Sequence, residues 1–326
     1  MTRGSILRNL HEGDDPARTP GTLRVVHGSH AVLVGATASG KSALALAVAR
    51  RDPRWELVSV DSMQVYRGMD IGTAKPTREE QAEVAHHLLD LLDPWEDGTV
   101  AWFQREAQAA IAEIEGRGGR ALLVGGTGLY VQAVVDDLDI PGQFPEVRAD
   151  LEGDLDTRAL YEQLRVLDPT AADRMEPSNR RRVLRALEVT IGSGRPFSSY
   201  GPGVSSHPPT RFHMVGLAHP AEELAGRIES RYAAQMAAGF LEEVVALRGH
   251  PRGISRTAAQ ALGYKELLAH LDGALSLEDA LDLAVRRTRR FARRQRAWFG
   301  RDHRIGWLDG AADENHLVDQ FATAVG

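Results

Sequence analysis

Gly35-Ala-Thr-Ala-Ser-Gly-Lys-Ser42 lies between the apolar run Ala31-Val-Leu-Val34 and the alanine-rich stretch 43–50. The order apolar run, glycine-rich turn, helical stretch matches the pattern GxxxxGK[ST], and each position in it has a physical task. Glycines let backbone N–H groups approach phosphate oxygens, and the start of the following helix stabilises negative charge. Lys41 offers a compact ammonium to terminal phosphoryl oxygens, and Ser42 a hydroxyl to magnesium. The whole stretch, Gly35, Ala36, Thr37, Ala38, Ser39, Gly40, Lys41 and Ser42, is therefore the candidate phosphate-binding element. A turn that merely joined strand to helix would not need all eight positions.

The same alternation recurs outward from this loop. Leu57-Val-Ser-Val60 and Ala121-Leu-Leu-Val-Gly125 are short buried-strand patterns followed by helical spacing, and Phe212–Leu217 and Ile305–Leu308 extend the series. Strands alternating with helices predict an α/β fold, a parallel sheet of the P-loop NTPase type flanked by helices. Residues 143–205 read differently, as a helical insertion domain. Pro145 opens one helix, Asp168-Pro169 caps another, and Pro177-Ser178 starts a third that carries Arg180, Arg181, Arg182 and Arg185. The expected organisation is a flexible extension over 1–30, a core over 31–142 and 206–326 ending in basic helices, and the insert between the two core segments.

At 43% hydrophobic and 26% charged, the 326-residue chain is too apolar for disorder and too irregular for a fibrous repeat. Its longest apolar run, Ala43–Ala49, is far short of the roughly 18 residues that cross a bilayer, and the first thirty residues contain no apolar targeting segment. A cytoplasmic protein is expected. With no cysteine there is neither a disulfide nor a thiolate metal site. The adjacent pair His86-His87 lacks metal-ligand spacing and reads as structural.

The net charge of −6 hides a strong asymmetry. Between Arg286 and Arg304 nine arginines face one acid, Asp302, a local +8 that leaves −14 on the rest of the chain. Arg286, Arg290, Arg293 and Arg294 share one side of a helical stretch, which points to a polyanion partner. Trp298 and Phe299, at the same helical spacings, read as packing. The chain uses 36 arginines but only three lysines, Lys41, Lys75 and Lys265. A lysine kept against that background suggests a need for a compact charge, as at a phosphate loop.

Asp61 directly follows the second apolar run, where open α/β sheets bind ligands. Its position allows three readings: a magnesium-binding acid, a base facing an acceptor, or a helix N-cap.

The run Asp61-Ser-Met-Gln-Val-Tyr-Arg-Gly-Met-Asp-Ile-Gly-Thr-Ala-Lys-Pro76, between GATASGKS and LLVGGTGLY, closely resembles the bacterial tRNA dimethylallyltransferases, or tRNA isopentenyltransferases. The likeness continues through His87–Asp90, Asn179–Glu188, Arg227–Tyr232, Met236–Phe240, Gln260–Lys265 and Thr288–Gln295, covering about Ala31 to Leu308. It implies transfer of a dimethylallyl group from dimethylallyl diphosphate to N6 of adenosine 37 of tRNA, with magnesium as cofactor. The glycine-rich loop would then hold a diphosphate leaving group. By the same resemblance Asp61 is the general base, Thr127 lies near the transfer site and Arg231 stabilises the diphosphate. Arg227, one turn earlier, either assists or pairs with Glu222 or Glu223.

The resemblance further implies that Asp61, Ser62, Met63, Gln64 and Thr127 line the pocket for a flipped-out adenine. Arg181, Arg182, Val183, Leu184 and Arg185, together with Gln260, Gly263 and Lys265, match segments that contact tRNA, and Arg148 is a weaker match. The expected partners are the anticodon stem-loop and dimethylallyl diphosphate, with the protein a monomer. Two rivals remain. A P-loop kinase or ATPase would use the same loop but leaves both arginine clusters unexplained. A noncatalytic RNA-binding protein explains the arginines and leaves Asp61, Thr127 and Arg231 a coincidence.

Overall fold

A computed structural model describes residues 30–153 and 156–326. The expectation for the N-terminal extension lies outside the described residues, apart from His30. Along the chain, β1 (His30–Gly35) leads through the glycine-rich loop into α1 (Lys41–Arg51). β2 (Trp55–Ser59) is followed by a long loop, α2 (Arg78–Glu83) and the two-residue β3 (His86–His87). After α3 (Val100–Gly116) come β4 (Arg120–Gly125) and α4 (Gly128–Val135). Four helices follow: α5 (Pro145–Glu152), α6 (Thr157–Leu167), α7 (Pro169–Asp173) and α8 (Arg180–Ser193). The chain continues through β5 (Phe212–Ala218), α9 (Ala221–Ala237), α10 (Phe240–Arg248), α11 (Tyr264–Leu271) and α12 (Leu277–Phe299). It ends with β6 (Gly306–Asp309) and α13 (Glu314–Val325).

The strands form one sheet in the order β3-β2-β4-β1-β5-β6, with every pairing parallel. A parallel sheet is covered on both faces, which is why its central strands are apolar without alternation. Ala31 and Leu33 join Leu122, Val124, Leu44 and Phe321 in a core on one face. Val32, Val34 and Leu123 on the intervening positions are buried as well. Each such side chain taken from water contributes roughly 1.5–3 kcal/mol.

Parallel strands put all their carboxyl ends on one edge. The register pairs Val34 of β1 with Gly125 of β4, and Ser59 of β2 with Val124. The turns after β1, β2 and β4, which carry Thr37, Asp61 and Thr127, therefore leave three neighbouring strands side by side. The entry to α1 needs an unusual backbone. Gly40 caps the helix at φ +86°, a left-handed conformation that glycine adopts without a Cβ penalty, and Ala38 is held at φ +65°.

The described backbone divides into two compact units, one of residues 30–131 and 209–326 and one within residues 132–208. The second unit is helical and has its own core, built from Leu160, Leu164, Ala172, Val183, Leu184 and Leu187. Its arginine helix begins at Arg180 with Asn179 as N-cap, accepting from Arg182 N–H, slightly later than Pro177-Ser178 suggests. Asp168 caps α7 through Ala171 N–H, as its place before Pro169 implies. Among the described residues no helix is long and apolar enough to cross a membrane.

Candidate active site

Thr37 is held from two directions. Its hydroxyl accepts from Arg231 Nη1 of α9 at 2.7 Å, and its N–H donates to Gln295 Oε1 of α12 at 2.8 Å. Arg231 is largely withdrawn from water, which pulls its pKa below the usual guanidinium value, although Tyr232 and Asp61 act in the opposite sense. Its Nε is buried and, among the described residues, makes no hydrogen bond, so a polar donor is left unsatisfied beside the glycine-rich loop.

Lys41 reaches back to the Ala36 carbonyl at 3.5 Å, a long contact that leaves the ammonium largely uncommitted. Burial brings its pKa down to about 8, while Asp61 opposes and Arg231 reinforces that shift. Lys41, Asp61 and Arg231 are thus within electrostatic reach of one another. Two cations and one carboxylate influence one another at the edge where the turns after β1 and β2 lie.

Asp61 is not a helix cap. Its Oδ1 accepts from Met63 N–H at 2.8 Å, closing a turn in which Ser62, Met63 and Gln64 are half-buried. Gln64 is committed to this loop: Oε1 accepts from the Ser59 hydroxyl, and Nε2 donates to the carbonyls of Thr73 and Ala74. Thr127 stands at the start of α4, where its carbonyl accepts from Tyr130 and Val131 N–H. The Tyr130 phenol is pushed up to about 12 by burial, with smaller contributions from Tyr66 and Asp61.

Lys75 does not belong to a phosphate site. Its buried ammonium donates to Asp70, to Asp90 at 2.6 Å and to the Tyr66 carbonyl at 2.8 Å, stitching together the loop that follows Asp61. Glu243 of α10 fastens the same loop by accepting from the N–H groups of Asp70, Ile71 and Gly72 and from the Tyr264 hydroxyl. His86 and His87 form β3, and His87 pairs with Glu56 at 2.8 Å. Among the described residues no three His, Cys, Asp or Glu side chains gather as a metal cage. The exposed Ser42 hydroxyl beside Lys41 nonetheless suits magnesium, which takes few protein ligands when it is bound through substrate phosphates.

Residues 64–302, nearly three-quarters of the chain, match the family model for IPP transferases. The chain belongs to the IPP transferase family. A tRNA dimethylallyltransferase of Kineococcus radiotolerans is 48% identical over 284 residues, covering 85% of this chain and 89% of the relative. The crystal structure of a tRNA isopentenylpyrophosphate transferase from Bacillus halodurans is 37% identical and superposes with a TM-score of 0.67, covering 91% of this chain and 97% of that one. A eukaryotic dimethylallyltransferase solved acting on tRNA gives a TM-score of 0.75 at 26% identity, over 90% of this chain and 77% of that one.

The basic surfaces of this IPP transferase sort into exposed and committed arginines. On α12, Ala284, Thr288, Ala292, Gln295 and Phe299 face inward, while Arg290, Arg293 and Arg294 are exposed, as is Arg286, which also pairs with Asp282 at 3.6 Å. Arg287 and Arg289 are tied to Glu266 and Glu229. Phe299 is buried, and Trp298 packs so closely on Gly128 that a Cβ there would lie 2.3 Å from its ring. Lys265 is exposed and donates to Gln260 Oε1 at 2.9 Å, whereas Gly263 is buried at the start of α11.

In the helical unit of the transferase, Arg181 and Arg182 are exposed. Val183 and Leu184 are part of its apolar core, so the expected direct RNA contact by these two meets a packed interior. Arg185 donates to Glu188 at 2.6 Å and to the carbonyls of Pro141 and Gly142, and Arg148 to Glu152 at 2.7 Å. Arg227 pairs with Glu223 at 3.1 Å while its other nitrogen faces Gly40, so it lies beside the glycine-rich loop as well as on the surface. Three residues escaped sequence reasoning: Gln295, Tyr130 and Glu243. The one local signal for Gln295 was an uncharged polar side chain interrupting an arginine run.

Proposed function

We infer that this protein transfers a dimethylallyl group from dimethylallyl diphosphate to tRNA, at N6 of adenosine 37 in the anticodon loop. The observation that carries this reading is that Lys41, Arg231 and Asp61 act electrostatically on one another, with Arg231 hydrogen-bonded to Thr37 of the glycine-rich loop, in a chain whose relatives are tRNA prenyltransferases. Breaking an allylic C–O bond develops negative charge on the diphosphate and carbocation character on the allyl group. Preorganised cations beside the leaving group lower that barrier. Lys41, the amides at the start of α1 and the unsatisfied Arg231 Nε are the donors available for the diphosphate.

In the transfer step the adenine N6 lone pair forms a bond to C1 of the dimethylallyl group. The C1–O bond breaks, its electron pair leaves with diphosphate, and the N6 proton passes to the Asp61 carboxylate. The exocyclic amine is a weak nucleophile because its lone pair is delocalised, which gives a nearby carboxylate a role as the bond forms. The target base must leave its stack to reach this group, at modest cost in a loop. Magnesium, when bound through the Ser42 hydroxyl and substrate oxygens, would neutralise diphosphate charge.

Arg286, Arg290, Arg293 and Arg294 on α12 and Arg181 and Arg182 on α8 are proposed to contact tRNA phosphates, and Gln260 and Lys265 are proposed as further tRNA contacts. The protein is proposed to act in the cytoplasm as a monomer. The experiment is mass spectrometry of nucleosides from an unmodified anticodon stem-loop incubated with protein, magnesium and dimethylallyl diphosphate, beside a parallel reaction with ATP alone. An added dimethylallyl mass on adenosine is expected, reduced roughly 10²- to 10⁴-fold by Asp61→Ala with stem-loop binding retained. ATP turnover without prenylation of a bound RNA would instead support a kinase or ATPase.

A further inference from the structure

Gln295 is 5% exposed on the inner face of α12, and both ends of its amide are engaged. Oε1 accepts from Thr37 N–H at 2.8 Å, and Nε2 donates to the Gly126 carbonyl at 2.8 Å. Thr37 and Gly126 stand in the turns after β1 and β4, which are adjacent parallel strands. One side chain therefore spans the glycine-rich loop and the turn that carries Thr127.

The polarity of this bridge is specific. It needs one acceptor and one donor on a side chain of this length, which an amide provides. A glutamate would set a carboxylate oxygen against the Gly126 carbonyl, and a methionine would leave both backbone groups without their partner. Gly126 is suited to the approach, because a Cβ there would lie 2.3 Å from Gln295 Nε2. Thr37 N–H is committed to the bridge and is not free for a diphosphate, whereas the start of α1 leaves its first N–H groups without internal partners. The same helix that carries Gln295 presents Arg290, Arg293 and Arg294 to solvent.

We propose that Gln295 is a positioning residue for prenyl transfer: it sets the spacing between Thr37 and Thr127 and ties that spacing to the arginine helix. The proposal rests on the function inferred above. Misplacement of a reacting group by about 1 Å costs on the order of 10²-fold in rate, so losing the bridge is expected to reduce turnover before it reduces binding.

The test begins with prenylation of the stem-loop by the wild-type protein; if that fails, the functional reading has failed and not the bridge. In an active preparation Gln295→Met and Gln295→Glu should each lower kcat by about 10- to 100-fold, with stem-loop affinity unchanged to within roughly twofold. Gly126→Ala, which displaces Nε2 from the opposite side with Gln295 intact, should reproduce that loss of kcat. Unchanged kcat in Gln295→Met would overturn the proposal, as would a fall in kcat matched by an equal fall in stem-loop affinity. Failure of both Gln295→Met and Gly126→Ala to fold would make the bridge a folding element and overturn it too.

Discussion

The guanidinium of Arg231 donates to the hydroxyl of Thr37 at 2.7 Å, joining two residues 194 positions apart. The hydrogen bond directs one arginine nitrogen at the glycine-rich loop, while the buried Nε has no hydrogen-bond partner among the described residues. Arg231→Ala is expected to lower the rate of prenyl transfer by about 10²- to 10³-fold in single-turnover assays, with stem-loop affinity preserved. Arg231→Lys should not restore it, because one ammonium cannot serve both Thr37 and a diphosphate in the fork geometry of arginine. A variant within about tenfold of the wild type would remove Arg231 from the reaction.

Lys41 makes the site sensitive to alkaline pH. Its folded pKa is brought by burial from 10.5 to about 8, so the free enzyme loses this positive charge as pH rises through that value. Affinity for inorganic diphosphate, measured by calorimetry, should fall across the same range. Stability moves in the opposite direction. Between about pH 8 and 10.5 the unfolded chain binds a proton that the folded chain lacks, so the Lys41 contribution to stability rises with pH there. The melting temperature of the wild type minus that of Lys41→Met should rise over that window; parallel curves would contradict the assignment.

Lys75 tests the loop that follows Asp61. Its side chain is 1% exposed, and the ammonium bridges Asp70, which is half-exposed, and Asp90, which is 22% exposed. Lys75→Met leaves the two carboxylates facing each other and the Tyr66 carbonyl without its donor. The expected cost is about 2–4 kcal/mol in denaturant unfolding, below the full figure for a wholly buried pair because Asp70 remains in contact with water. A loss under about 0.5 kcal/mol would mean that Glu243, Gln64 and Gln235 hold the loop without Lys75.

The exposed arginines of α12 should carry a salt signature. Replacing Arg290, Arg293 and Arg294 together by alanine should reduce the slope of log affinity for the stem-loop against log salt by about two, near 0.7 for each phosphate left unneutralised in a single-stranded region. Arg287→Ala, by contrast, removes an ion pair with the buried Glu266 and should appear mainly as lower stability. An unchanged slope in the triple variant would move the RNA surface elsewhere.

The legible parts of the molecule are those with a local physical cause. Ala31–Val34 and Ala121–Val124 are continuous apolar runs because a parallel sheet is buried on both faces, and they are strands in the structure. Gly306–Asp309 forms the last strand beside β5. β3 was not visible as a strand: two histidines are too short for any period, and they are held by pairing with Leu57 and Val58. The scarcity of lysine drew attention to Lys75, but the need for a compact charge was met by two carboxylates and a carbonyl within its own loop.

The strand, glycine turn and helix around Gly35–Ser42 follow from residues adjacent in the chain, because backbone conformation, capping and burial of a short run act over a few positions. Which distant side chains reach that turn is a different matter. Arg231 and Gln295 arrive on α9 and α12, helices whose inward faces are set by packing against the sheet and against each other. Arg227 and Arg231 lie one turn apart on the same helix, yet one pairs with Glu223 at the surface and the other is buried against Thr37. The local pattern around an arginine specifies its charge and its helical face, and only the packing of that helix decides which partner the charge meets.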